Sequence, residues 1–162
     1  MELSANNAPN VLGEEGRKPV ETVQYIVIRL GEEQYGIDIR NINNIIRMQH
    51  ITRVPKMPGY LKGVINLRGE VVPVMSMRLR VGLSDDEYTK ATRIIVLKLE
   101  QEGNVGFIVD EVKEVVTLSD NDIEKNAYNA NDEKSSLISA VGKHNGELIT
   151  LLDLNTISLE GN

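Results

Sequence analysis

A pattern of strand, tight turn and strand is used twice in this chain, and the two copies align at nearly constant offsets. Shifted by 69 residues, Tyr25-Ile26-Val27-Ile28-Arg29-Leu30 lies over Ile94-Ile95-Val96-Leu97-Lys98-Leu99. Shifted by 70, Gly36 lies over Gly106, and shifted by 77, residues 61–77 lie over 138–154 without a gap. Within that last match Gly69-Glu70-Val71-Val72 meets Gly146-Glu147-Leu148-Ile149. Two β units of roughly 70 residues are each too small to bury a comfortable core, so they must pack together and share apolar surface. Many short strands with little helix predict small closed barrels rather than a parallel α/β sheet.

The local signals fit that plan. Val23 to Leu30 is rich in β-branched residues and runs into Gly31-Glu32-Glu33, a strand and turn, with Gln34 to Asp38 as the returning strand. Leu61 to Leu67 and Val71 to Met75 flank the turn Arg68-Gly69-Glu70, and Pro73 suggests an edge or a sheet corner. Arg93 to Leu99, Val105 to Val109 and Asp110 to Leu118 continue the series, and Ile138 to Lys143 with Leu148 to Leu152 close it around Asn145-Gly146. Ile39, Ile42, Ile45 and Ile46 have the spacing of one face of a short helix. Ser119 to Asn131 reads as a loop or a short helix capped by Ser119, and Asp153 caps a terminal helix over 153–160. The expected division is a flexible tail over 1–20 and one domain over 21–160. Its first β unit runs to residue 90 and its second over 91–154, with strands exchanged between them.

Charge is unevenly distributed. The formal net charge is -6, yet residues 40–80 carry eight basic groups against one acidic, while 81–162 carry seven against sixteen. A cationic block inside an acidic protein can steer partners of opposite sign, or it can be a solvated face.

The inventory for catalysis is thin. With no Cys, there are no disulfides, thiolate metal sites or thiol nucleophiles. His50 and His144 are the only histidines, and neither sits in a nucleophile elbow or a zinc-binding pair. Asp120-x-Asp122-x-Glu124 resembles alternate calcium ligands but lacks the glycine and the closing Glu of such a loop. Neither G-x-G-x-x-G nor G-x-x-x-x-G-K-[ST] occurs, which removes the common phosphate-cradling folds. No catalytic, cofactor-binding or metal-binding residue is therefore expected, and the chain reads as an interaction module. The opening twenty residues lack the apolar run of a signal peptide and no stretch is long enough to span a bilayer, so a cytoplasmic protein is expected. A small-barrel nucleic-acid binder using the basic segment 40–80 stays open as an alternative, with Tyr60 its one aromatic.

Residues 61–83, LKGVINLRGEVVPVMSMRLRVGL, closely resemble the CheW family of bacterial chemotaxis adaptors, carrying K-G-V-x-N-L-R-G-x-V-V-P-V from Lys62 to Val74. The similarity extends through 35–47, 51–63, 105–123 and 148–154, covering essentially 21–160. The resemblance implies a mainly β fold of two SH3-like five-stranded barrels packed together, with short helices and a hydrophobic groove between them. It also implies a non-catalytic scaffold joining the regulatory domain of the histidine kinase CheA to the cytoplasmic tips of chemoreceptors, monomeric alone and part of a larger array. Membrane insertion and nucleic-acid binding are not expected on that reading. Carried over residue by residue, Arg68 takes the position of the arginine implicated in receptor coupling. Asn66 belongs to the same N-L-R-G motif, and Gly63 precedes the strand leading into that turn. Ile42 matches an apolar position beside the partner contacts, with Ile45 closing the same I-x-x-I segment. Asn44 stands where the family often has Glu, so a contact that needs the carboxylate is not expected of this chain.

Overall fold

The protein is described by a computed structural model covering residues 21–125 and 137–157. The expected tail, the end of the terminal helix and residues 126–131 of the 119–131 segment lie outside the described residues, while Ser119 caps a 3-10 turn over Asp120–Asp122. Eleven strands are described: β1 (Thr22–Leu30), β2 (Glu33–Asp38), β3 (Ile42–Arg47), β4 (Leu61–Leu67), β5 (Glu70–Ser76), β6 (Arg93–Leu99), β7 (Gly103–Val109), β8 (Glu111–Ser119), β9 (Ile123–Lys125), β10 (Ile138–His144) and β11 (Glu147–Leu152). One helical turn, α1 (Met77–Arg80), follows β5, with the Leu79 N–H donating to the Ser76 hydroxyl.

The strands form two sheets, in the orders β8-β1-β2-β11-β10-β9 and β3-β6-β7-β5-β4. Each sheet combines strands from both sequence repeats. The leading hairpin of the first repeat, β1-β2, sits among the strands of the second, and β6-β7 of the second repeat sits among those of the first. The sequence boundary near residue 90 thus does not separate the sheets. One is built from residues 42–109, the other from 22–38 together with 111–152. The protein is mainly β, and the first-named sheet has six strands rather than five because the short β9 adds to its edge.

The repeat survives in atomic detail. Parallel pairing sets Val74 against Gly106 in one sheet and Leu151 against Gly36 in the other, positions related by the offsets of 77 and 70. A register shift falls between Leu61 and Gly63 in β4 and at the matching place, between Ile138 and Ala140, in β10. Both glycines are needed for packing: a Cβ on Gly36 would lie 2.8 Å from Leu151 Cδ2, and one on Gly106 would lie 2.8 Å from Ile94 Cγ2.

Three apolar clusters result. Val27, Val116, Leu118, Ala140, Ile149 and Leu151 fill one barrel. Ile65, Val72, Val74, Ile94, Val96 and Ile108 fill the other. The largest cluster, with Ile28, Leu30, Ile37, Met75, Leu97 and the single phenylalanine, Phe107, joins the two sheets. Strand β6 explains how: Ile94 and Val96 point into its own barrel while Ile95 and Leu97 point to the shared core, the period-2 alternation of a strand buried on both faces. At roughly 1.5–3 kcal/mol for each fully buried large apolar side chain, the shared core is a major source of stability for both sheets.

Two sequence readings need correction, and a third, the terminal helix, is described only in part. The helix expected from Ile39 to Ile46 is a single 3-10 turn, Ile39–Asn41, capped by Asp38, and then strand β3. Its pairing with β6 skips a residue between Ile42 and Asn44, and that bulge is what produced a helix-like spacing. Ile42 and Ile45 pair with Leu97 and Ile95 on the shared-core side, whereas Ile46 pairs with Ile94 on the barrel side. The terminal helix is, among the described residues, one 3-10 turn, Leu154–Thr156, with Asp153 Oδ1 accepting from the Asn155 N–H. Pro73 lies inside a central strand, not at an edge, but one residue before the β5–β7 pairing begins at Val74, where a strand can dispense with a donor.

Candidate protein-binding surface

Arg68 and Gly69 form the two-residue turn of the β4-β5 hairpin, with φ of 55° and 87°. Positive φ at both positions is the geometry that matches hairpin twist. Glycine adopts it freely, but a long unbranched residue such as arginine enters it only at a cost. Asn66 offsets that cost, since its Oδ1 accepts a hydrogen bond from the Gly69 N–H at 2.9 Å. The Arg68 side chain is exposed and, among the described residues, makes no hydrogen bond or ion pair. A planar donor fork is thereby held out on a fixed turn, free to engage a carboxylate or a carbonyl.

Gly63 has a different task. Its φ is 143°, and a Cβ there would overlap the Thr52 carbonyl, lying 2.7 Å from its carbon. Thr52 and Val64 exchange backbone hydrogen bonds of 2.8 Å, so the chain after β3 is clamped against β4 at the one residue with no side chain. Gly63 therefore shapes the backbone at the start of β4.

Ile42, Asn44 and Ile45 lie on β3, an edge strand of its sheet. Ile42 packs partly against the shared core, and Ile45, on the same side, is 37% exposed at its rim. Asn44 is half-buried, with its Oδ1 accepting from the Ile45 N–H at 2.9 Å. The start of β3 and the Arg68 hairpin meet at one end of the sheet. Asn43 Nδ2 donates to Asn104 Oδ1 (3.1 Å), and Asn104 Nδ2 donates to both carboxylate oxygens of Glu70 (3.1 Å each). Arg68, Asn66, Ile42 and Asn44 are thus gathered at this end. Ile45 sits farther along β3, and Gly63 sits toward the far end of β4. The linking residues Asn43, Asn104 and Glu70 carried no signal in the sequence, because they meet only through the β5-β7-β6-β3 pairing.

Close by, Asp38 and Arg40 form an ion pair with Nη2 to Oδ2 at 2.6 Å. Burial pushes the Asp38 carboxyl upward, but hydrogen bonds from the Arg40 side chain and backbone outweigh it and hold the carboxyl below the usual range. The basic block is not a free phosphate-binding stripe. Arg40 is held by Asp38, Lys62 by Asp85 and Arg78 by Asp110, while Arg80 lies over the Tyr60 ring, 4.5 Å from its centroid. Tyr60 is only partly exposed, packs against the shared core and is covered by that arginine, so it offers no open face for base stacking.

The Asp110 pair also ties the sheets together. Asp110 Oδ2 accepts from Arg78 Nη1 at 2.5 Å and from the Gly31 N–H at 2.8 Å, and Arg29 bonds Glu111 at 2.9 Å. Among the described residues no cluster of His, Asp and Glu could hold a metal ion, and no helix is long and apolar enough to cross a membrane.

Three comparisons place this architecture. Residues 24–160 match the family profile described as the CheW-like domain. The chain is 36% identical over 137 residues to the chemotaxis protein CheW of Helicobacter pylori, covering 85% of this chain and 82% of that one. It is 34% identical over 132 residues to CheW of Bacillus subtilis, covering 82% and 84% respectively. In three dimensions it is similar to the scaffolding protein TtCheW of Thermoanaerobacter tengcongensis, with a TM-score of 0.76 at 29% identity over 83% of this chain and 90% of that one. A profile spanning nearly the whole described chain, relatives above 30% identity and a matching two-sheet structure lead to one conclusion: the chain belongs to the CheW family of non-catalytic chemotaxis scaffolds.

Proposed function

We propose that this chain works in the cytoplasm as a coupling scaffold, binding the regulatory domain of a CheA-type histidine kinase and the cytoplasmic tip of a chemoreceptor. The observation that carries the reading is the Arg68 turn, an unpaired guanidinium on a left-handed residue at the same end of the sheet as the start of β3, to which Asn104 links it through Asn43 and Glu70. A receptor tip is a helical hairpin. Apolar helix positions would lie along the rim of the shared core at Ile42 and Ile45, and an acidic position would meet Arg68. Asn44 in place of the family's usual Glu adds an uncharged amide to that surface and would select partners accordingly. Signal transfer through such a scaffold is a shift in the kinase's conformational population, and the scaffold supplies coupling rather than chemistry.

Isothermal calorimetry with the kinase regulatory domain, then with a receptor-tip fragment, tests this directly. Binding to both is expected, and no binding to the kinase domain at high micromolar concentration would overturn the proposal. Arg68→Ala is expected to keep the melting temperature and weaken receptor coupling. A loss of several degrees in that variant would identify Arg68 as a structural residue.

A further inference from the structure

We propose that the cleft between residues 49–62 and Tyr88 binds an acidic peptide segment with an apolar anchor residue, supplied by a partner protein at a site separate from the Arg68 surface. The cleft encloses about 510 Å³. Arg53, Lys56 and Lys62 line it together with Val54, Met57 and Tyr88, and no acidic residue does. Seven large apolar side chains are exposed among the described residues, and three of them, Val54, Met57 and Tyr88, are in this one cleft. Exposed apolar groups ringed by cations of one sign fit an apolar anchor flanked by carboxylates. Lys62 is already paired with Asp85 at 2.7 Å, whereas Arg53 and Lys56 make no ion pair among the described residues.

The cleft is also built in advance. Pro55 and Pro58 restrict the loop, the Thr52–Val64 bridge fixes one end, and the Leu61 N–H donates to the Pro58 carbonyl at 3.0 Å at the other. Lys56 is held at φ 64°, a left-handed conformation a lysine rarely adopts, which sets the direction of the loop that carries it. Pre-formed walls reduce the ordering cost of binding. A nucleic acid would also answer the cations, but Val54 and Met57 give a phosphodiester chain nothing to bind, which favours the peptide. The Arg68 turn lies at the other end of β4, about 20 Å away at the usual rise per residue.

The test uses the full chain and a fluorescein-labelled 15-residue peptide of Glu and Leu in amphipathic order, followed by anisotropy. A Glu/Ser peptide, a Lys/Leu peptide and a single-stranded oligonucleotide are the controls. The Glu/Leu peptide is expected to bind, to weaken severalfold between 50 and 300 mM salt, and to lose about tenfold in affinity in the Arg53→Glu, Lys56→Glu double variant. Met57→Ser should cost severalfold, and Arg68→Ala, whatever it does to receptor coupling, should leave the affinity for this peptide as it was. Equal binding of the Glu/Ser peptide would overturn the proposal, as would tighter binding of the oligonucleotide or an affinity unaffected by the double variant. Loss of peptide binding in Arg68→Ala would move the site to the hairpin surface. A salt-sensitive dimer that excludes the peptide in sedimentation runs would identify a second copy as the occupant and overturn the partner assignment.

Discussion

The hairpins β4-β5 and β10-β11 share one backbone and carry different chemistry. Both turn through two residues of positive φ, Arg68-Gly69 and Asn145-Gly146, and both display an apolar side chain three positions on, Val71 at 64% and Leu148 at 60% exposure. Asparagine is among the few residues at ease in the left-handed region, and it stands where the backbone alone would choose. Arginine is not, and the turn that holds it leans on Asn66, whose counterpart in the other hairpin is Lys143. The difference separates what the fold requires, two left-handed residues, from what one sheet has added, a projecting cation.

The largest expected effect sharpens this comparison at the paired bulges. Gly63→Ala should lower stability by about 3 kcal/mol or more, a fall of roughly 6–12 °C in thermal denaturation, because the new methyl meets the Thr52 backbone. The equivalent Ala140 already carries a Cβ at 4% exposure, so Ala140→Gly should cost only about 1 kcal/mol. Comparable losses in the two variants would mean that the bulges do not differ as described. Next, Gly36→Ala and Gly106→Ala should each cost about 1–3 kcal/mol, and by similar amounts, since each methyl meets a side-chain methyl at 2.8 Å. A large loss in one alone would break the equivalence of the two sheets. The turn swap comes third. Arg68→Asn should raise the melting temperature by about 1–3 °C and Asn145→Arg should lower it by a similar amount, measured by circular dichroism. If Arg68→Asn destabilises, the arginine is contributing to the fold.

The smallest effect concerns two carboxylates with opposite shifts. Burial raises the Asp86 carboxyl, whose oxygens have no hydrogen-bond partner among the described residues, with the Ser76 hydroxyl and Lys62 nearby offsetting burial only in part. Its contribution to stability is present below the ordinary carboxyl value and lost as pH rises through the raised one. Asp122 runs the other way. The Ser119 N–H and hydroxyl donate to it at 2.9 and 3.1 Å and lower its carboxyl, so its contribution is present at neutral pH and lost as pH falls through the lowered value. Asp86→Asn should therefore raise the melting temperature by about 1–2 °C at pH 7 and by nothing near pH 3, whereas Asp122→Asn should lower it at pH 7 and converge with the parent in acid. Parallel pH profiles for both variants would refute the assignment.

Much of this was legible in the chain. Strand identity followed from β-branched runs bounded by turn residues, and β4 and β6 match the sequence reading to the residue. The doubled pattern was legible as constant offsets, whereas the matched bulges and matched parallel pairings that stand at those offsets are findings of the structure alone. Strand β3 was misread, since a bulge imitates helical spacing and nothing local to Asn43 announces one. The link from Asn43 through Asn104 to Glu70 could not be read either, because it joins residues 61 and 34 positions apart that only sheet order brings together. The motif named Gly63 and Arg68 in one stretch, and the structure gives them unlike surroundings, one packed against the Thr52 backbone and one on an exposed turn.

The reciprocal hairpin exchange has a consequence for synthesis on the ribosome. Strands β3 to β7 occupy residues 42–109 without interruption and can pair as soon as they emerge. The β1-β2 hairpin emerges first and has no sheet to join until β8, β10 and β11 follow, over residues 111–152. At roughly 5–20 residues per second, that leaves an apolar hairpin waiting about 5–20 s beside the exit tunnel. The first of the described hairpins to be made is thus among the last to find its place, and chaperone occupancy on the nascent chain should peak in that interval.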